Sequence, residues 1–432
     1  MKLNDLIPGY NSLVLPYHLA KAAVVGARYG FAGRKLRVIG VTGTNGKTTT
    51  CFMIWKMLNL AGHKTGLMTT VGWGMPGLKG ADEEGLVKQI EHMTTADVVT
   101  LNKRMKKMME AGAEFLVLEV TSHAMAQFRT LGIPIEIAVM TNVTHEHLDY
   151  HKTFENYRAA KCKLFKKAKF GVINADDKSG VVFGENIDEY ITYGIKLGEM
   201  RAKKIKMDAK GVNYSCGDIN IKTRIPGKFN VYNSLAAVCV GKKIGLTDRQ
   251  VEKGIAALVD VEGRMNRVEE GQRFGVIVDY AHTPDAVQKV FDSVGGRAVK
   301  KFEGEPVKGR IITVTGGAGR RDETTRAERG EICAKNSDIF IVTEDDSRDE
   351  SPAEIAEMFV AGAEKAGMKR GENLLIELDR KKAIEQAIAM ARKDDLVLIL
   401  GKGHEKTILR ADGPHQFEDL KVVRKSLKKI KS

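Results

Sequence analysis

The sequence predicts an α/β fold of two units, each built on a mostly parallel sheet, behind a short N-terminal helical extension. Three observations lead there. Eight apolar runs of strand length recur along the 432 residues, they alternate with helical stretches, and polar or glycine-rich residues follow nearly every run. Continuous Val- and Ile-rich runs alternating with helices mark strands buried on both faces. Open sheets of this kind hold ligands beyond their strand ends.

Residues 1–35 are too few for a domain. "LPYHLAKAAVVGARYGFAGRKL" mixes small and apolar residues with Lys21, Arg28, Arg34 and Lys35. That suits an amphipathic helix lying on an anionic membrane, and equally a helix packed on the unit that follows. "LRVIGV" (36–41), "EFLVLEV" (114–120), "IEIAVMTNV" (135–143) and "FGVINA" (170–175) supply the strands of a central unit over 36–262. Its helices fall at 99–111, 154–167 and 230–243. "YSCGDINIKTRIPGKFNVYNSLAA" passes from short alternating segments through Pro226-Gly227 into the last of these. Near "DVEGRMNRV" (260–268) the helical region gives way to new strands. "FGVIVDYA" (274–281), "GRIITVTG" (309–316), "DIFIVTE" (338–344) and "DLVLILG" (395–401), with a helix over 352–366, form a C-terminal Rossmann-like unit over 263–432.

Composition narrows the class of protein. Hydrophobic residues at 43% and charged residues at 29% describe an ordinary soluble globular chain. The net charge of +14 suits an acidic partner or substrate. Nucleic acid is not the expected partner, because there is no arginine-rich arm or zinc-finger spacing and aromatics are only 6%. Five scattered cysteines, with no C-x-x-C, predict a reduced, cytoplasmic setting. No apolar run approaches the ~18 residues of a membrane span, and no secretory leader is apparent at the start.

"VTGTNGKTTT" (41–50) lies between the strand "LRVIGV" and a helix beginning near Lys47. It departs from the G-x-x-x-x-G-K-[ST] pattern, since Val41 stands where the first glycine belongs. The physical parts of a phosphate loop are nevertheless present. Gly43 and Gly46 allow close backbone approach, Thr44 and Asn45 add amides, and Lys47 is a point charge. Thr48 or Thr49 offers a magnesium hydroxyl, and the helix N-terminus adds partial positive charge. The central unit therefore reads as a P-loop nucleotide-binding unit.

Glu119 ends a strand, as an acid does when it reaches a metal bridging phosphates; a solvated or capping glutamate would look the same. "TNVTHEHLDYH" packs His145, Glu146, His147, Asp149 and His151 into seven residues. Zinc fits the H-x-H spacing, but a phosphate loop brings magnesium and the cluster has no settled four-ligand set. Magnesium is the expectation. Lys161 sits in "NYRAAKCKLFKK" beside alanines, Leu164 and Phe165. A surface position is ordinary for lysine. A buried one would have its amine pKa lowered, and a neutral amine can form a carbamate with carbon dioxide.

"GTNGKTT", "EVTSHAMAQFR", "TNVTHEHLDYH", "AAKCKLF", "GKFNVYNSLAA", "GRMNRV", "DYAHTPDAV" and "GKGHE" together resemble the Mur ligases in order and spacing, over roughly residues 36–420. The branch most resembled adds the third residue of the peptidoglycan stem peptide. Its loop has the family's own form, G-T-[NK]-G-K-[ST], which accounts for Val41. The resemblance implies ATP-dependent amide-bond formation through an acyl phosphate, with ATP and Mg2+. A muramyl dipeptide would be the acceptor and an amino acid the second substrate. It implies Lys47 on the β/γ-phosphates, metal contacts from Thr48, Glu119 and His147, and a carbamylated Lys161. Asn230, Asn233, Arg264 and Asp279 would complete the ATP site. Thr94, Thr95, Thr121, Gln127 and Arg129 would hold the acceptor, and Asp345, Arg348, Gly401, His404 and Glu405 the amino acid.

Two departures matter. Members using diaminopimelate carry D-N-P-R where this chain has Asp345-Asp346-Ser347-Arg348. Arg348 still offers a fork for a carboxylate, so diaminopimelate is the first expectation, with lysine or another amino acid open. The family also folds a whole domain ahead of its loop to hold the uridine nucleotide, whereas this loop begins at residue 41. Either the acceptor is held differently or its carrier is not UDP. A lipid-linked acceptor would match the basic N-terminal helix and a peripheral membrane contact. Folylpolyglutamate synthases, related ligases, also begin near their loop, and a non-catalytic nucleotide-binding protein is the third reading. Retention of Lys47, Glu119, His147 and Lys161 argues against the last. A monomer is expected.

Overall fold

The computed structural model describes residues 14–89, 93–208, 211–299 and 307–430. In the first sheet, strands β1 (Arg37–Thr42), β2 (Thr65–Met68), β3 (Gly72–Gly74), β4 (Leu86–Lys88), β5 (Phe115–Glu119), β6 (Ile135–Met140), β7 (Ala168–Asn174), β8 (Tyr190–Gly194) and β9 (Met200–Arg201) are ordered β4-β3-β2-β5-β1-β6-β7-β8-β9. Only β3 pairs antiparallel with its neighbours; the rest are parallel. A small antiparallel sheet follows, β10 (Lys203–Asp208), β11 (Gly211–Cys216) and β12 (Ile219–Thr223); the short alternating segments of the sequence correspond to it. The second large sheet contains β13 (Asn266–Arg267), β14 (Gly275–Asp279), β15 (Ile311–Thr315), β16 (Ile339–Val342), β17 (Leu374–Ile376) and β18 (Leu396–Leu400), ordered β13-β14-β18-β15-β16-β17. It is parallel except at β13. A hairpin of β19 (Thr407–Arg410) and β20 (Gly413–Gln416) completes the strands.

Both large sheets are covered on two faces, as continuous apolar strands require. Along β1, Ile39 and Val41 enter one core with the helices Lys47–Leu60 and Phe229–Ile244, while Val38 enters a second core with the helix Val98–Glu110. In β18, Leu396, Leu398 and Leu400 face one way and Val397 and Ile399 the other. The helix Lys47–Leu60 is apolar around most of its circumference because it lies between the first sheet and the helices Phe229–Ile244 and Asp248–Ala256. Short polar side chains start the helices. Asp97 accepts from the amides of Val99 and Thr100, and Thr247 forms a reciprocal capping box with Gln250.

Several segments are shorter than their sequence patterns, and two of them bear on the site. The 154–167 stretch is α-helical only over Phe154–Cys162, then turns through a 3-10 segment, Phe165–Lys167, into β7. The run at 135–143 stops pairing at Met140 because the next residues turn to hold the loop after β1: the Asn142 carbonyl accepts from the Thr44 amide at 2.7 Å.

The N-terminal helix spans Leu15–Arg28 and packs on the helix Val98–Glu110. It buries only Ala22 and Gly26, leaving Tyr17 (62%), Leu19 and Val24 (69%) exposed beside Lys21 and Arg28. Among the described residues, no helix is long and apolar enough to cross a membrane.

Candidate functional site

The loop predicted to bind phosphate leaves the carboxyl end of β1, between β5 and β6. Gly43 (φ +148°) and Gly46 (φ +85°) take backbone conformations that L side chains rarely adopt. A Cβ on Gly43 would lie 1.9 Å from Thr141 Oγ1, and one on Gly46 2.2 Å from Asn233 Oδ1. Asn142 fixes the loop through Nδ2 to the Asn45 carbonyl (2.9 Å) and Oδ1 to the Asn45 amide (3.0 Å). Lys47 Nζ donates to the Thr44 carbonyl at 2.7 Å, lying along the rim that would face a phosphate.

Pairing of β1 with β5 puts Val41 opposite Glu119, so the carboxylate reaches the first turn of the next helix. Thr48 Oγ1 lies 3.1 Å from both Glu119 oxygens, and Thr70 donates to Oε2 from its amide (2.9 Å) and hydroxyl (3.0 Å). Thr48 and Glu119 are buried. Hard oxygens converging beside a lysine fit magnesium.

Lys161 is fully buried, its Nζ donating to the Gly43 carbonyl at 2.6 Å and lying 4.4 Å from the Tyr157 ring centre. Burial and then the charge of Lys47 push its pKa well below the ordinary lysine value, against Glu146 and Glu119.

The His-rich segment does not converge on a zinc set. His151 Nε2 pairs with Ser122 Oγ at 3.0 Å and His145 packs edge-on against Phe154. Among the described residues, the only group of three potential ligands in mutual reach is Asp345, Asp346 and Glu405. His147 Nε2 instead lies 3.6 Å from Glu146 Oε1. Burial alone would raise the Glu146 carboxyl; His147, Lys47, His282 and Lys161 outweigh it and hold it at about 2. Glu146 is therefore a fixed negative charge at the centre of the site. The "HEH" spacing contained it, but its partners come from distant segments.

The second large sheet closes over this loop. Arg264 donates to Thr48 Oγ1 at 3.1 Å and lies 4.7 Å from the Tyr280 ring centre. Asp279 accepts from the amides of Met265 (2.6 Å) and Ala281 (2.7 Å); burial raises its pKa against Arg264 and those amides. Asn233 Nδ2 donates to Asn230 Oδ1 at 2.9 Å, and Asn230 Nδ2 to the Pro226 carbonyl at 2.7 Å.

Beyond them, Lys402 is buried among Asp346 (2.7 Å), Glu405 (2.7 Å) and Asp345 (3.3 Å). Burial opposes its charge, but the three carboxylates outweigh this and raise its pKa. Arg348, with φ +56°, donates to the Gly319 carbonyl and comes within 4.0 Å of Asp346. His404 is held to about 3 by burial and then by Arg264. Lys402 lay unremarked within "GKGHE", a motif whose other residues drew attention.

A single cavity of about 1290 Å³ runs between the two sheets. Thr44 to Thr49, Thr94, Glu119, Thr121, His147 and Lys161 line it from the first; Asn230 and Asn233 line it from the helix after the small sheet. Arg264, Asp279, Asp345, Arg348, Gly401, His404 and Glu405 line it from the second. Gln127, Arg129 and Thr95 form a separate set. Arg129 donates to Gln127 Oε1 (2.7 Å) and to the Thr95 carbonyl (2.6 Å), behind Thr94 and Thr121. Arg321, which the sequence reading did not single out, also reaches the cavity.

Known proteins resemble the chain along most of its length. A family model described as the Mur ligase middle domain matches residues 41–241, and one described as the Mur ligase, glutamate ligase domain, matches 263–403. The chain is 38% identical over 420 residues to UDP-N-acetylmuramoyl-L-alanyl-D-glutamate--2,6-diaminopimelate ligase 1 of Clostridium acetobutylicum, covering 94% of this chain and 82% of that protein. It is 36% identical over 435 residues to UDP-N-acetylmuramyl-tripeptide synthetase of Roseiflexus sp. (strain RS-1), covering 95% and 82%. A solved UDP-N-acetylmuramoyl-L-alanyl-D-glutamate--2,6-diaminopimelate ligase superposes with a TM-score of 0.61 at 28% identity, covering 92% of this chain and 79% of that one.

Proposed function

Because the chain belongs to the Mur ligase family, we propose that it is an ATP-dependent ligase of peptidoglycan precursor synthesis, joining an amino acid of the diaminopimelate or lysine kind to a muramyl dipeptide. The observation that carries this reading is the convergence of Lys47, Thr48, Glu119 and buried Lys161 on one loop, facing a cavity that the second sheet also lines. In this reading residues 36–262 bind ATP and residues 263–432 bind the amino acid and close on the nucleotide.

The acceptor carboxylate attacks the γ-phosphorus of ATP, forming an acyl phosphate and releasing ADP. The amino acid, its amine unprotonated, then attacks the acyl carbon; phosphate and the surplus amine proton leave, and an amide remains. Most of the acceleration comes from positioning and from charge placed where the transferring oxygens develop theirs. Lys47 would meet the β- and γ-phosphates. Thr48, Glu119 and His147 would hold magnesium, which neutralises phosphate charge when bound. Lys161, poorly disposed to carry a proton, would as a neutral amine add carbon dioxide and lose a proton to become a carbamate, placing an anion at the loop. Arg264 approaches from the second sheet, and Asp279 fixes the backbone beside it. Thr94 and Thr121 would face the acceptor, supported by Thr95, Gln127 and Arg129 behind them. Asp345, Arg348, Gly401, His404 and Glu405 would receive the amino acid.

The exposed face of the helix Leu15–Arg28 that carries Tyr17 and Val24 together with Lys21 and Arg28 supports peripheral attachment of a monomeric, cytoplasmic enzyme to an anionic membrane, where a lipid-linked acceptor would be met. Flotation with anionic liposomes, comparing the full chain with one beginning at Leu36, tests this; failure of both to float sinks it. The main test is a mass-spectrometric product screen of ATP plus each amino acid with UDP-linked and lipid-linked muramyl peptides and a folate acceptor. Amide formation only on folate, or on no acceptor despite ATP binding, would overturn the reading.

A further inference from the structure

Asp285 lies in the first turn of the helix Pro284–Val294, on the side of the second sheet, yet its carboxylate contacts the loop of the first. Its Oδ2 accepts from Asn45 Nδ2 at 2.5 Å and from Thr144 Oγ1 at 3.3 Å, both in the first unit. Lys289 Nζ, one turn along the same helix, holds the same oxygen at 2.7 Å. A carboxylate at a helix N-terminus is also favoured there by the helix dipole. Asn45 is itself fixed by Asn142 and by Thr141 Oγ1, which donates to its carbonyl at 2.7 Å. The bond therefore ties the second unit to the first through the middle of the phosphate loop.

We propose that Asp285 is a positioning residue for the nucleotide: a clasp that docks the second unit on the phosphate loop and so raises the fraction of molecules whose ATP site is already assembled. The proposal rests on the reading of that loop as the ATP site. Arg264 and Asp279 belong to the same docked body, so releasing the clasp withdraws them together. A ligand that needs the docked form binds with an apparent Kd equal to its intrinsic Kd divided by the docked fraction. Charge-assisted bonds of this kind are among the stronger ones a side chain makes, and losing this one should lower the docked fraction about tenfold. Chemistry at saturating nucleotide proceeds from the docked complex, so kcat should move much less than KM for ATP.

The test uses the full chain with Asp285→Ala, Asp285→Asn and Thr144→Val, each checked for folding by thermal melting. A non-hydrolysable ATP analogue is titrated calorimetrically, and small-angle scattering is recorded without nucleotide. Asp285→Ala is expected to weaken the analogue about tenfold and to enlarge the nucleotide-free molecule. Asp285→Asn, whose carboxamide oxygen still accepts from Asn45, should recover most of both, and Thr144→Val should shift both slightly in the same direction. Unchanged dimensions and affinity in Asp285→Ala would overturn the clasp, as would Asp285→Asn being as impaired as Asp285→Ala. The scattering arm needs no ligand. A wild-type chain that binds no nucleotide, with Asp285→Ala still opening, would defeat the ATP reading and leave the docking bond standing.

Discussion

Lys161 Nζ donates to the carbonyl oxygen of Gly43 at 2.6 Å, so a buried amine is tied to the backbone of the phosphate loop from a helix 118 residues away in sequence. Desolvation makes the charged amine costly there, which leaves the neutral amine that carbon dioxide can react with. Lys161→Ala is expected to abolish amide synthesis, and added bicarbonate should not restore it. Labelled bicarbonate should give a carbamate resonance in the wild-type protein that this variant lacks. Full activity of Lys161→Ala would refute the role.

The loop tolerates no side chain at its second glycine. Gly46→Ala would combine a positive φ with a Cβ 2.2 Å from Asn233 Oδ1. Strained backbone of this sort costs on the order of 1–3 kcal/mol, and relief would move either the loop or Asn233. Calorimetric titration should show ATP-analogue affinity reduced by about tenfold or more, because 1.4 kcal/mol is a factor of ten.

Thr48 and Glu119 should act on one metal. Thr48→Val and Glu119→Gln are each expected to raise the magnesium concentration for half-maximal activity by about 10–100-fold, with a combined variant short of the product because the two side chains touch. Equal magnesium curves in all variants would remove Glu119 from the metal site.

Away from the cavity, Arg380 and Asp419 form a fully buried fork, Nε and a terminal nitrogen each 2.8 Å from a carboxylate oxygen. Asp419→Ala would strip the buried guanidinium of its carboxylate and leave it bonded to the carbonyls of Glu344 and Leu400. Urea unfolding should register a loss of about 3–5 kcal/mol, and an unchanged midpoint would contradict this.

Acid should weaken the fold through His404. Its folded pKa of about 3 lies below the unfolded value of 6.5, so the unfolded chain takes up the proton first. Its contribution is complete above pH 6.5 and falls as pH drops toward 3, by about 1.4 kcal/mol per pH unit. Denaturant titrations from pH 7.5 to 5 should show a shallower decline for His404→Gln than for wild type.

What the sequence revealed and what it hid follow from chain distance. The loop after β1, Glu119 at the end of β5 and the asparagines of the helix Phe229–Ile244 each sit in a local pattern, and local patterns are legible. Glu146 was visible only as one member of a charged run. Its meaning comes from Lys47, Lys161 and His282, which three other segments bring to it. Asp285 and Asn45 are 240 residues apart, and nothing near either announces the other. The inward set of Arg129, Gln127 and Thr95 was equally hidden, because periodicity does not say which polar side chains bond one another.

The three carboxylates around Lys402 have a meaning in the language of coordination chemistry. Asp345, Asp346 and Glu405 place oxygens as a chelating pocket would, and the chain has filled that pocket with a tethered ammonium of its own. An internal counter-ion cannot diffuse away, so the charge balance of the pocket does not depend on the cation concentration outside.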